Sequence, residues 1–198
     1  MNLQSMRQLM ARHNLQPGRA LAALLLAALA LAALAGSTLA ASGNLVKNGS
    51  FEKATNGIPN WWGWFGFTPA DKRVCNQSKA GACSFKMVAD GAFKNLEQCC
   101  LPISGLAGDE FTLSVWTKSK AFDLGLGNSA YVYVLFSYPG GGSNYDYFDI
   151  PTGTTAWTLI QVSAVADDAY DIMEVGVQFN YPGSGKVWFD KVKLVEVP

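Results

Sequence analysis

Trp64, Trp116, Tyr131, Tyr133, Gln178 and Asn180 are residue types that together can hold a sugar. Flat rings lie against the apolar face of a pyranose, and amides bond its hydroxyls. No histidine accompanies them, because the single imidazole, His13, falls in an N-terminal leader. A chain without that leader has no Ser-His-Asp or Cys-His catalysis and no histidine-ligated zinc. The remaining hydrolytic option is a pair of carboxylates, about 5 to 5.5 Å apart for retention or about 6.5 to 9.5 Å for inversion, and spacing in the sequence singles out no such pair. The rings also have a plainer reading, since sheet faces accept aromatic residues by propensity. Trp61, Trp62, Trp157 and Trp188 are read as packing residues.

Strand signals position these side chains. Residues 82–88, 95–101, 111–118, 130–138, 157–165, 172–181 and 186–197 are rich in Val, Phe, Tyr and Leu. Gly, Pro, Asn and Asp collect between them, at 105–108, 139–144, 151–155 and 182–185. The class is all-β, a sandwich or jelly roll. Alternation then sets directions. Phe111, Leu113 and Val115 share a core face, with Ser114, Trp116 and Lys118 opposite. Val175, Val177 and Phe179 point inward, and Gly176, Gln178 and Asn180 outward. Tyr131 and Tyr133 join the outward face if Val132, Val134 and Phe136 point in; the opposite phase is the alternative. Residues 137–147 place Tyr138, Tyr145 and Tyr147 around a glycine run. They read either as a loop closing over a ligand or as a long hairpin connection folded back on the sandwich. Asp167, Asp168, Asp171 and Glu174 lack EF-hand spacing and read as a solvated loop.

Residues 1–20 contain Arg7, Arg12, His13 and Arg19 and no acid, and residues 21–35 are an unbroken Leu/Ala run. This is the pattern of a signal-peptide helix over 1–40, cut after Ala40 or Ala41, with a retained anchor as the alternative. The domain is then residues 41–198, and the compartment extracellular or cell-surface. Without Arg7, Arg12 and Arg19, fifteen basic residues become twelve against fifteen acidic ones. A net charge near −3 argues against nucleic acid and, after leader removal, against membrane as partners. Four cysteines in a secreted chain suggest disulfides. Cys75 and Cys83 flank a turn and are expected to pair, contributing roughly 2 to 3 kcal/mol. Cys99 and Cys100 are adjacent, at about 3.8 Å between Cα atoms, below the usual disulfide range of about 4.4 to 6.8 Å. The expectation is one buried and one exposed thiol, the latter available to a disulfide-linked partner, with pairing of either to Cys75 or Cys83 as the alternative.

The opening Asn44-Leu45-Val46-Lys47-Asn48-Gly49-Ser50-Phe51-Glu52 and closing Val187-Trp188-Phe189-Asp190-Lys191-Val192-Lys193-Leu194 resemble the ends of CenC-like carbohydrate-binding modules. The segments Gly57-Ile58-Pro59-Asn60-Trp61-Trp62, Ala80-Gly81-Ala82-Cys83-Ser84-Phe85-Lys86 and Asn95-Leu96-Glu97-Gln98 match the same pattern in order, as do residues 108–116 and Ala156-Trp157. The resemblance covers essentially residues 43–197. It implies a galactose-binding-like jelly-roll β-sandwich, and a structural Ca²⁺ held between Glu52 and Asp190 with carbonyls near the Lys79-Ala80-Gly81 turn. The alternative for these carboxylates is loose pairing with surface lysines.

Three functions follow. The first is a secreted, non-catalytic module docking a neutral poly- or oligosaccharide on an aromatic-lined sheet face. The second is a structural or adhesive cell-surface protein with the same fold. The third and weakest is a small glycan hydrolase working through two carboxylates.

Overall fold

In the computed structural model, residues 43–198 are described, and the expected signal-peptide helix lies outside them. Twelve strands follow in order: β1 (Ala54–Thr55), β2 (Ile58–Pro59), β3 (Gly63–Phe65), β4 (Lys72–Val74), β5 (Ser84–Val88), β6 (Lys94–Leu101), β7 (Glu110–Asp123), β8 (Ser129–Ser137), β9 (Ser143–Asp149), β10 (Gly153–Val165), β11 (Ile172–Asn180) and β12 (Ser184–Glu196). Two antiparallel five-stranded sheets result. The first runs β10-β7-β12-β5-β4 and the second β3-β6-β11-β8-β9, with β1 and β2 as a small ribbon. The domain is an all-β jelly-roll sandwich.

Period-two alternation builds both sheets. On β7, Phe111, Leu113 and Val115 are buried while Ser114, Trp116 and Lys118 turn outward and are half-buried. Within the second sheet, Val132 of β8 pairs with Val177 of β11 and Val134 with Val175, all buried, which settles the phase of β8 as the one that sends Tyr131 and Tyr133 outward. Rings from opposite sheets meet between them, with centroids 5.8 Å apart for Phe111 and Phe136 and 5.4 Å for Phe122 and Phe179. Phe51 packs on Trp62 at 5.3 Å and on Phe85 at 6.0 Å. Trp62 is therefore the packing tryptophan of its pair, while Trp61 stands 53% exposed.

One buried ion pair pins the sheets together. Lys94 of β6 points inward, with its Nζ 2.8 Å from Asp71 Oδ2, 2.7 Å from Asp90 Oδ2 and 2.8 Å from the Val88 carbonyl. Asp71 also accepts the Val88 amide of β5 at 2.7 Å. A buried ammonium costs several kcal/mol unless its hydrogen bonds are filled, and here three acceptors fill them. The two ends of the domain also lie side by side: Leu45 N donates to Leu194 O at 3.0 Å and Val192 N to Gly49 O at 2.8 Å. A Cβ on Gly49 would fall 2.0 Å from the Val192 carbonyl oxygen, so this close approach requires glycine.

Three expectations are corrected. Residues 143–149 are strand β9, not part of a glycine loop: only Tyr138 to Gly142 make the turn, closed by Gly141 N to Tyr138 O at 2.9 Å. The Tyr-Asp-Tyr alternation there pairs edge-on with β8. β10 begins at Gly153, inside the expected turn at 151–155. Finally, Cys99 and Cys100 are joined to each other and both are exposed, leaving neither a buried thiol nor a free one for a partner chain among the described residues. The register between β6 and β11 slips between the Leu101–Met173 and Gln98–Val175 pairs, and Cys100 takes a left-handed backbone at φ 59°. That bulge turns both side chains outward. Cys75 and Cys83 pair as expected, just beyond the last β4–β5 pair, Val74 with Ser84.

Candidate functional site

The outer side of the second sheet collects the tyrosines and amides. Strand register places Asp149, Tyr131, Gln178, Asn95 and Phe65 opposite one another on successive strands. The neighbouring row is Tyr147, Tyr133, Gly176, Glu97 and Gly63. The glycine at 176 shapes the face. A Cβ there would come within 2.7 Å of the Tyr133 ring, so Tyr133 lies down over the bare backbone. Its hydroxyl donates to Glu174 and meets Asn95. Tyr145 stacks on it at 4.8 Å, 20° from parallel, and Tyr133 is 1% exposed. Above this floor, Tyr131 and Tyr145 are half-buried, and Tyr147 and Phe65 are exposed. Tyr131 contacts Tyr147 and Tyr145 at 5.1 and 5.7 Å.

The amides are held in place by one another. Gln178 Nε2 donates to the Tyr131 hydroxyl at 2.6 Å and to Asn180 Oδ1 at 2.8 Å, while Asn180 Nδ2 donates to Ser129 Oγ at 2.9 Å. Such preorganisation lowers the entropy cost of holding a ligand. Burial pushes the Tyr133 and Tyr145 hydroxyls well above the ordinary tyrosine range, so both keep their protons at neutral pH. The Tyr145 hydroxyl is buried without a partner of good hydrogen-bond geometry.

Glu97 and Glu174 meet at the foot of the rings. Burial raises the Glu97 carboxyl first, and the charge of Glu174 and a hydrogen bond to it raise it further. Side chains in hydrogen-bond contact leave no room for a glycosidic bond between them, so this pair lacks the separation that two-carboxylate hydrolysis needs. Sequence spacing could not have found it, since the two residues lie on different strands.

Of the six candidate sugar contacts, the sheet brings four together: Tyr131, Tyr133, Gln178 and Asn180. Tyr133 serves as the covered floor. Two are corrected. Trp64 pairs with the core residue Leu96, so it turns toward the core side at the sheet edge, where it stacks on Phe67 at 5.6 Å. Trp116 faces outward from the other sheet, beneath Lys79 Nζ at 3.9 Å from its ring centre. Glu174 leaves the solvated acidic loop for this face, while Asp167, Asp168 and Asp171 are exposed.

Glu52 and Asp190 converge on one turn. Glu52 Oε1 accepts the amides of Ala82 and Cys83 at 2.9 and 3.2 Å, and Asp190 Oδ2 those of Lys79 and Ala80 at 2.7 and 3.1 Å. Asp190 is fully buried and its carboxyl is raised, by burial foremost and by Glu52 in part, against three amide bonds that lower it. Neither carboxylate forms one of the ion pairs found among the described residues. The four amides fill one oxygen of each carboxylate, and no cluster of three acidic, Cys or His residues occurs among the described residues, so a cation here would have Glu52 Oε2 and Asp190 Oδ1 as its charged ligands. Further ligands would have to be carbonyl or hydroxyl oxygens.

Solved structures share this architecture. The chain is similar to a family 16 carbohydrate-binding module (20% identity, TM-score 0.57, covering 77% of this chain and 99% of that one). It is similar to TmCBM61, solved in complex with β-1,4-galactotriose (18% identity, TM-score 0.52, 77% and 98% covered). The fold is that of a carbohydrate-binding module. The same sandwich occurs within the enzymatically active domain of bacteriophage CBA120 tailspike protein 4 (17% identity, TM-score 0.59), where the match spans 78% of this chain but 21% of that one. No protein-family model and no curated protein matches the sequence.

Proposed function

We propose that this jelly roll binds a neutral poly- or oligosaccharide on the outer face of the second sheet and does not cleave it. The observation that carries this reading is one sheet face on which Tyr131, Tyr145 and Tyr147 adjoin the fixed amides of Gln178 and Asn180. Ring faces suit the C–H side of a pyranose and the amides its hydroxyls. The likeness in fold to modules named for carbohydrate binding supports it, and the leader pattern supports an extracellular or cell-surface location. Affinity electrophoresis through gels containing galactan, xylan or β-glucan tests it. Retardation by at least one polymer is expected, weakened about tenfold or more by Tyr147→Ala or Tyr131→Ala and unchanged by Trp116→Ala. Absence of retardation in every gel, or release of reducing sugar, overturns the reading.

The same proposal places a structural Ca²⁺ at Glu52 and Asp190, tying both ends of the domain to the turn at residues 79–83. Bound to the native state alone, the ion adds stability that depends on its free concentration. Excess chelator should lower the thermal midpoint of wild type and leave that of Glu52→Gln unmoved. An unchanged wild-type midpoint counts against the ion.

A further inference from the structure

The outer face of the first sheet carries the opposite charge. Lys72, Lys86, Trp188 and Lys118 stand opposite one another on β4, β5, β12 and β7, and Lys186 stands opposite Lys120 beside them. With neighbouring strands about 4.8 Å apart, the first row spans about 14 Å. Lys118 and Lys186 lie over the Trp188 ring, 5.9 and 5.6 Å from its centre. Like charges placed opposite one another across strands destabilise a sheet. Lys86 registers the strain: its ammonium is pushed below the ordinary lysine value by burial first, then by Lys72 and Lys186. Asp71 is the one carboxylate that acts the other way, and its Oδ2 is engaged by the buried Lys94. Between the lysines lies a cavity of about 500 Å³, where the side chains of Asn76, Gln77, Thr154 and Thr155 add amides and hydroxyls.

We propose that this lysine face is a second binding site, for an anionic polysaccharide bearing carboxylate or sulfate groups. Lysines that repel one another are a cost in the free protein, and an anionic chain laid across the strands would neutralise them. Of the polar groups beside them, Gln77 Oε1 already accepts Lys118 Nζ at 2.7 Å and the hydroxyls of Thr154 and Thr155 bond β7, which leaves the Asn76 amide and the Gln77 NH2 to meet sugar hydroxyls. Nucleic acid fits less well. Its recognition draws on arginine forks and stacking rings, whereas Arg73 directs its guanidinium to Cys83 Sγ and Trp188 is 7% exposed beneath the lysines. The site is separate from the tyrosine face, whose outward rows contain Glu97, Glu174 and Asp149 and no Lys or Arg among the described residues.

Affinity electrophoresis with polygalacturonate, dextran sulfate and uncharged dextran tests the proposal, and the first two distinguish carboxylate from sulfate. Retardation by one or both polyanions and not by dextran is expected, falling at least tenfold when salt rises from about 50 to about 200 mM. The double variant Lys86→Gln/Lys186→Gln should weaken binding at least tenfold with an unchanged or raised thermal midpoint. Lys86→Arg/Lys186→Arg should retain it, and Tyr147→Ala should leave it intact. Failure to bind either polyanion, binding indifferent to the glutamine substitutions, or tighter binding to single-stranded DNA than to both polyanions would overturn it.

Discussion

Across the second sheet the central outward row reads Tyr147, Tyr133, Gly176, Glu97, Gly63; across the first it reads Lys72, Lys86, Trp188, Lys118. Both rows come from strands whose inward residues are mostly of one kind, Val, Leu, Phe and Met, with Lys94 the charged exception. The core therefore fixes the sandwich and leaves the outward positions free to diverge. On the second sheet, Gly176 lets a ring lie flat on the backbone and a second ring stack on it. On the first sheet the only ring of the row, Trp188, lies under ammonium groups. One face presents rings and amides, the other ammonium groups, and the two proposed ligands differ accordingly.

Substitutions can separate the two faces from each other and from the fold that carries both. The largest effect is expected at the pin between the sheets: Asp71→Asn removes the buried one of the two carboxylates that neutralise Lys94, leaving only the partly exposed Asp90, and should cost about 3 kcal/mol in urea unfolding. Binding at both faces should then fail together, at the denaturant concentrations where the fold does. Gly176→Ala separates the faces. Its methyl needs the space of the Tyr133 ring, an overpacking worth about 1 to 3 kcal/mol, so neutral-sugar binding should be lost while polyanion binding persists below the unfolding transition. Opening the hairpin staple with Cys75→Ser/Cys83→Ser should lower stability by about 2 kcal/mol without choosing between the faces. The smallest effect concerns pH. The Glu97 carboxyl is raised in the folded state, so its proton favours the native form at pH below the unfolded value. That contribution is lost as pH rises through the folded value. Thermal midpoints of wild type and Glu97→Gln should thus converge near pH 4, with the variant the more stable at pH 7. A variant less stable at pH 7 would show that the Glu97 charge is not repelled there.

Much of this contrast was legible in the sequence, with a definite boundary. Alternation in residues 130–138 and 172–181 gave the core side and put Tyr131, Tyr133, Gln178 and Asn180 on one face, because parity along a strand is a local property. Parity does not say to which sheet a strand belongs, so by parity alone Trp116 of β7 falls among residues of the other sheet; Trp64 is in the tyrosine sheet but on its core side, because the three-residue β3 is too short for alternation to set its phase. Tyr145 and Tyr147 were obscured by the adjacent glycines, which drew their strand into a loop. The Glu97–Glu174 pair and the Lys94–Asp71 pin are contacts between distant segments and carry no local signal. Net charge hid the lysine face, since averaging over the chain cancels Lys72, Lys86, Lys118, Lys120 and Lys186 against acids placed elsewhere. The Cys99–Cys100 bridge depends on a bulge and a left-handed residue, which strand periodicity does not anticipate.

The proposed docking surface for a neutral glycan is the tyrosine face of the second sheet. Amide and side-chain NMR shifts, followed while a neutral oligosaccharide from the retarding polymer is titrated into ¹⁵N-labelled protein, address it directly. Shifts concentrated at Tyr131, Tyr145, Tyr147, Gln178 and Asn180, with the Trp116 and Trp188 indoles still, are the predicted result. Shifts concentrated at Trp116, Trp188 and the lysines around them, with the tyrosine face silent, would contradict it.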